Sequence, residues 1–242
     1  MAEQEVIKHT KKVFKIWNNK EHSFWYKAKE IFIEIFIIVF AVSLSIWLHD
    51  KNEHSHQQKE VKEFLLGLRE DLLSDINEMK DDKQSYLNQG RAFRYIASDK
   101  LRPTLNIDSL KKYENWLFTT TRFDQNNGRF EGFKASGKIG AIENKIIQNN
   151  ILSLYQENIP SLFESIDPYL RIKNQWFDFI IKNRKRITDS TTNFSTLLLT
   201  DEAQNLCVSL TNPAQIISRY DICINKMKTI VTEIENEYGI KQ

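Results

Sequence analysis

The run IFIEIFIIVFAVSLSIWL, Ile31 to Leu48, constrains this chain more than any other part of it. Its eighteen residues carry one charge, Glu34. Coiled as a helix at about 1.5 Å per residue they reach about 27 Å, close to the thickness of a bilayer's hydrocarbon core. Phe24, Trp25 and Tyr26 stand before the run and Trp47 near its far end, where amphipathic rings settle at membrane interfaces. Lys27 and Lys29 can extend apolar stems toward headgroups on the near side. A cleaved signal peptide has a shorter apolar stretch ending in a small-residue cleavage site. Here thirty residues precede the run, and Trp47-Leu48 follow its small residues. A helix buried in a soluble core would need neither the aromatic belts nor the lysines. The expectation is a transmembrane helix over 31–48.

Its direction follows from charge. Lys11, Lys12, Lys15, Lys20, Lys27 and Lys29 lie close before the span, and only Lys51, Lys59 and Lys62 lie as close after it. Residues 1–30 hold seven lysines against four acids, whereas residues 49–242 hold 27 basic and 27 acidic residues. The positive-inside rule then sets the N-terminus in the cytoplasm and residues 49–242 outside it, which for a bacterial inner membrane is the periplasm. Val6, Val13 and Trp17, with Ile7 and Phe14, recur at helical spacing among Lys8, Lys11, Lys12 and Lys15. The head 1–30 thus reads as a basic amphipathic segment suited to an anionic leaflet. An overall charge of +2 is too small to suggest nucleic acid as a partner.

Beyond the span the pattern is helical. Leu65, Leu72, Met79, Tyr86 and Phe93 fall seven apart, with Val61, Leu68 and Ile76 between them. Residues 49–98 therefore read as one long coiled-coil-like helix, with Gly67 and Gly90 as its weak points and Arg102-Pro103 as its stop. Asp108 is placed to cap a helix over 108–119. A short helix follows Gly128, and 144–186 reads as a second long region that Pro160 and Pro168 kink or divide. Residues 187–200 form a loop, Asp201 begins a short helix, and a last one runs over 213–238, with Pro213 in its first turn and Gly239 after its end. With 7 Gly and 4 Pro in 242 residues, an all-β sandwich is disfavoured. The expected fold is all-α: one N-terminal transmembrane helix continuing into a periplasmic helical bundle.

The motifs that hint at chemistry are few. GFKASGK, Gly132 to Lys138, is nearly a phosphate-binding P-loop. A P-loop, however, follows a strand and has Ser or Thr after its lysine, where Ile139 stands here. A helix break at Gly137 and Gly140 is the plainer reading, so no nucleotide is expected. His49, Glu53 and His56 lie at helical spacing but complete no tight ligand set, and no metal is expected. Cys207 and Cys223 are offset by roughly 6 Å in height about the turn near Pro213. Buried free thiols are the expectation, and a bridge would need a shifted turn. No nucleophile–base or paired-acid arrangement emerges from spacing, so no enzyme activity or cofactor is expected. Glu34 remains the sharpest residue, because a carboxylate in an apolar span is costly unless paired or interfacial. Lys27, Lys29 or water can meet it at the boundary.

Three segments, EIFIEIFIIVFAVSLSIWLHDKNE, EFLLGLREDLLSDI and FKASGKIGAIENKIIQNNILSLY, resemble a family of uncharacterised single-pass membrane proteins of Bacteroidetes. Glu34, Trp47, Ser136, Gly137, Ile142, Asn144 and Tyr155 are the matching positions. The resemblance implies topology and a helical fold, and no activity. The functional expectation is a membrane-anchored, non-enzymatic scaffold of a cell-envelope complex, in contact with lipid, with other membrane or envelope proteins or with a second copy of itself. The competing expectation is an accessory subunit of an ion- or proton-coupled assembly that uses Glu34.

Overall fold

The computed structural model describes residues 7–8, 10–15, 24–97, 107–188 and 191–240. The chain divides into two compact units, Met1–Lys62 and Glu63–Gln242. Its elements in order are α1 (Phe24–Ala97), α2 (Ile107–Phe118), α3 (Gly128–Ala135), α4 (Lys145–Ser153), α5 (Ile159–Asn183), α6 (Phe194–Leu197), α7 (Asp201–Leu210) and α8 (Ala214–Tyr238). A 3-10 turn, Lys138–Ala141, lies between α3 and α4, and a π turn, Leu154–Asn158, joins α4 to α5. Among the described residues the extended pairing is limited to one isolated bridge, Arg186 to Thr192. The fold is all-helical.

In the first unit, residues 10–15 are helical and the apolar part of α1 is bare. One 18-residue window of α1 is long and apolar enough to cross a membrane, and only 6% of it is buried. Phe36 and Phe40 stack along this surface with ring centroids 6.2 Å apart. Trp25 is 80% exposed and Trp47 56%, with the Lys51 ammonium 5.2 Å from the Trp47 ring. Val6 and Trp17 lie outside the described residues, as do the side chains of Phe24, Tyr26 and Lys27.

The second unit is built on the heptad stripe. Leu65, Leu72, Met79, Tyr86 and Phe93 are each no more than 1% exposed. Complete burial of such side chains stabilises by about 1.5–3 kcal/mol apiece. The stripe meets seams on α5 and α8: Tyr86 lies edge-on to Tyr169 at 5.4 Å and 5.9 Å from Tyr220, and Phe93 lies edge-on to Trp176 at 5.4 Å. Ion pairs flank the α1–α8 contact: Arg69 to Glu235 at 2.7 Å and Lys83 to Asp221 at 2.5 Å. The two glycines of α1 in this unit lie where neighbours approach closely. A Cβ on Gly67 would come within 2.3 Å of the Arg129 guanidinium, which pairs with Asp71 at 2.9 Å. One on Gly90 would come within 2.8 Å of the Pro213 ring. The flexible Arg129 end can swing aside at Gly67, whereas the fixed Pro213 ring makes glycine the residue that fits at position 90.

Several helix limits differ from expectation for local reasons. Helix α2 begins at Ile107, one residue before the expected cap; the Asp108 side chain and residues 102–103 lie outside the described set. Pro160 does not divide the long region. Without an N–H, and with a ring that crowds the carbonyl four residues back, it follows a stretch that widens into the π turn Leu154–Asn158. Helix α5 then runs through Pro168. Thr200 caps α7 by accepting from the Ala203 N–H at 3.4 Å. Pro213 occupies the cap position of α8 rather than its first turn, and Gly239, at φ 64°, closes that helix in the left-handed conformation.

Candidate functional site

At the start of the apolar run, Glu34 is only 3% exposed. Lys12, 22 residues earlier, donates to its Oε1, and the pair is an ion pair. The contact raises the Lys12 pKa, through that hydrogen bond first and the charge of Glu34 second. Spacing alone directs attention to Lys27 and Lys29, of which the Lys27 side chain lies outside the described residues; Lys12 is a partner from the N-terminal segment. Downstream, His49 and Glu53 approach at 3.9 Å and His56 and Glu60 at 3.7 Å, as separate i,i+4 pairs on an exposed face.

Trp47 lies on the exposed apolar stretch, and the singled-out residues of the second unit each have an architectural task. Gly137 has φ +73°, a conformation that glycine adopts without strain. The helix α3 precedes it and a 3-10 turn follows, where a P-loop would have a strand and a long helix. Ser136 Oγ donates to the Phe133 carbonyl at 2.8 Å, tying off the end of α3. Asn144 caps α4: its Oδ1 accepts from the N–H groups of Ile146 and Ile147 at 3.1 and 3.3 Å, while its Nδ2 donates to Glu237 at 2.8 Å. Ile142 is buried, and Tyr155 stacks on Phe130 with centroids 4.1 Å apart. Cys207 and Cys223 are unbridged and buried, and burial pushes both thiols up to about 12. That disfavours the reactive thiolate.

One cluster was not singled out from sequence. Lys173 on α5 is fully buried and faces α1 and the segment 119–127. Its ammonium donates to Gln89 Oε1 and to the Thr119 carbonyl, and lies 5.7 Å from the Phe93 ring and 6.0 Å from Phe177. Burial lowers its pKa to about 7. Gln89 in turn donates to Thr121 Oγ1 at 3.0 Å, Ser85 and Thr121 hydroxyls meet at 2.6 Å, and Tyr86 donates to the Thr121 carbonyl at 2.6 Å. Further along the same segment, buried Asp75 accepts from Asn126 Nδ2 at 2.6 Å and from the Asn126 N–H at 3.2 Å. Desolvation raises the Asp75 carboxyl to about 6, against the lowering effect of those bonds. The segment 119–127 is irregular, so its backbone groups need partners, and polar side chains of α1 and α5 supply them. The signal for Lys173 was present: Leu162, Ile166, Tyr169, Lys173, Trp176 and Ile180 follow one helical seam.

Family models, curated proteins and solved structures were all compared with the chain, and none matches. The site chemistry therefore stands on these contacts alone. Among the described residues no three His, Cys, Asp or Glu side chains converge as a metal set. Glu34–Lys12 is a paired charge at the end of an apolar helix. The Lys173 network is a largely buried clamp that orders a loop.

Proposed function

We propose that this chain is a membrane-anchored, non-enzymatic interaction subunit of a cell-envelope complex. In this reading residues 31–48 span the inner membrane, the N-terminus is cytoplasmic and the helical domain is periplasmic. The carrying observation is the bare apolar surface of α1, with only 6% of its span-length window buried. A surface of that size and composition is compatible with lipid and not with water. The resemblance to single-pass membrane proteins of Bacteroidetes, carried by Glu34, Trp47, Ser136, Gly137, Ile142, Asn144 and Tyr155, supports the same reading. The enclosed polar groups of the domain speak for a scaffold, since Lys173 and Asp75 are occupied in holding a loop.

A proton-coupled role for Glu34 is the competing reading. The ion pair with Lys12 favours a fixed charge over an exchanging one. The test combines fractionation with crosslinking in native membranes. Full-length chain should stay in the pellet after carbonate extraction. A cysteine replacing Ser195 should react with an impermeant thiol reagent in spheroplasts, and one replacing Thr10 should not. Release by carbonate, or the reverse labelling, would sink the anchor reading. Failure to crosslink to any membrane or envelope protein, itself included, would sink the scaffold reading.

A further inference from the structure

The described residues of the segment 7–15 are Ile7, Lys8, Thr10, Lys11, Lys12, Val13, Phe14 and Lys15, and the only charges among them are four lysines. Residues 7–8 and 10–15 are helical, with Ile7 49% and Phe14 70% exposed. Ile7 and Phe14 stand two helical turns apart, and Lys8, Lys11 and Lys15 fall on the adjoining stripe at that spacing. So short a helix is marginal by itself in water. Lys12, beyond that stripe, ties the segment to Glu34.

Depth makes the arrangement specific. Glu34 lies three residues into the apolar run, about 4.5 Å along the helix axis. From that depth the Glu34 carboxylate can extend back toward headgroup level, where the ammonium of an interfacial segment meets it. The ion pair therefore holds the segment at the height where an amphipathic helix rests, with its aromatic edge toward acyl chains and its ammonium groups toward phosphates.

We infer that residues 7–8 and 10–15 form a second, peripheral membrane contact, an edge of Ile7, Phe14 and three lysines that docks on an anionic lipid leaflet and is clipped to the span by Lys12 and Glu34. The inference rests on the anchor reading of residues 31–48 and adds to the amphipathic reading of the head the residues of the docking edge and the Lys12–Glu34 clip. The complementarity is of charge: a zwitterionic surface offers the ammonium groups no net attraction, whereas each lysine near an anionic surface strengthens binding about fivefold.

Full-length protein with Phe14→Cys, Cys207→Ala and Cys223→Ala, labelled with an environment-sensitive fluorophore in nanodiscs, tests it. In discs containing phosphatidylglycerol the probe should be quenched by nitroxide-bearing lipids and shielded from aqueous iodide. In pure phosphatidylcholine that protection should be lost. Replacing Lys8, Lys11 and Lys15 together by Gln should lower the docked-to-free ratio roughly a hundredfold. Lys12→Glu should also release the probe, and adding Glu34→Lys should restore docking. A probe that stays wet in anionic discs, or equally dry in neutral ones, would overturn the lipid inference. No recovery in the charge-swapped pair would overturn the clip. A parallel probe at Phe40 separates the two readings: if Phe40 is wet, the anchor itself fails, and if Phe40 is dry while Phe14 is wet, only the interface inference fails.

Discussion

Two stretches of α1 are equally helical and differ in what covers them. Over residues 31–48 apolar side chains occur all round the helix, and nearly all are exposed. Over residues 61–96 they keep to one seam, and Val61, Leu68, Ile76 and Tyr86 on that seam are buried. The all-round pattern suits a surrounding of hydrocarbon, and the seam suits a protein partner with water on the other side. Periodicity, and not helix content, separates a span from a core helix.

The difference can be broken most severely at the seam. Leu72→Ala, at 0% exposure, should cost about 2–5 kcal/mol of domain stability, read from a chemical-denaturation midpoint. Phe40→Ala, on the bare stretch, should leave that midpoint unchanged. Phe40→Arg reverses the sensitivity: it should weaken insertion by about 2.5–3.5 kcal/mol and shift protein into the carbonate-soluble fraction, with the domain still folded. Equal responses of both readouts to both substitutions would erase the contrast.

The next effect sharpens it by asking what a polar residue costs on a seam. Lys173→Met strands the Gln89 and Thr119 acceptors, an expected loss of about 1–3 kcal/mol. A lysine whose folded pKa is about 7 binds fewer protons folded than unfolded between that pH and the unfolded value near 10.4. Its linkage contribution therefore raises stability as pH climbs from 7 toward 10, and is flat below 7. Urea titrations at pH 7 and pH 10 should show that gain shrinking in Lys173→Met; an unchanged gain would mean that the amine titrates normally. Smaller again is Gly137→Val, which should cost about 1 kcal/mol or more because φ is positive, while Lys138→Ala should cost almost nothing. Specific nucleotide binding lost in Lys138→Ala would contradict the structural turn. The smallest effect is expected from Glu34→Gln, which keeps a hydrogen-bonding group beside Lys12. Assembly and function should survive, and a complex that assembles but is inactive would favour the proton-exchange reading.

The seam of α1 was legible because its residues recur every seven positions and each finds the interior. The Ser136-Gly137 turn was legible because glycine frequency marks a break. The contact of Lys12 with Glu34 was not, since local spacing carries no information about a segment that folds back from 22 residues away. Lys173 was passed over for the opposite reason. Its seam position is visible in the sequence, but only tertiary structure places Gln89 and the Thr119 carbonyl around the ammonium. Polar residues falling on an apolar seam, such as Asp75, Gln89, Lys173 and Glu235, are the ones to single out in a chain of this kind.

The Arg69–Glu235 pair joins positions 166 residues apart, and Tyr220 reaches back 138 residues to Asp82. During synthesis, then, the seam of α1 emerges well before its α8 partner. Until α8 appears the seam is an unfinished surface that invites other hydrophobic chains. Such long-range closure also makes for slow folding. A chain released at residue 212 should accordingly bind a hydrophobic dye and yield to protease, whereas protection of that fragment would mean that the first helices close without the last. Closure of the domain thereby waits on α8: a product that lacks it stays recognisably unfinished.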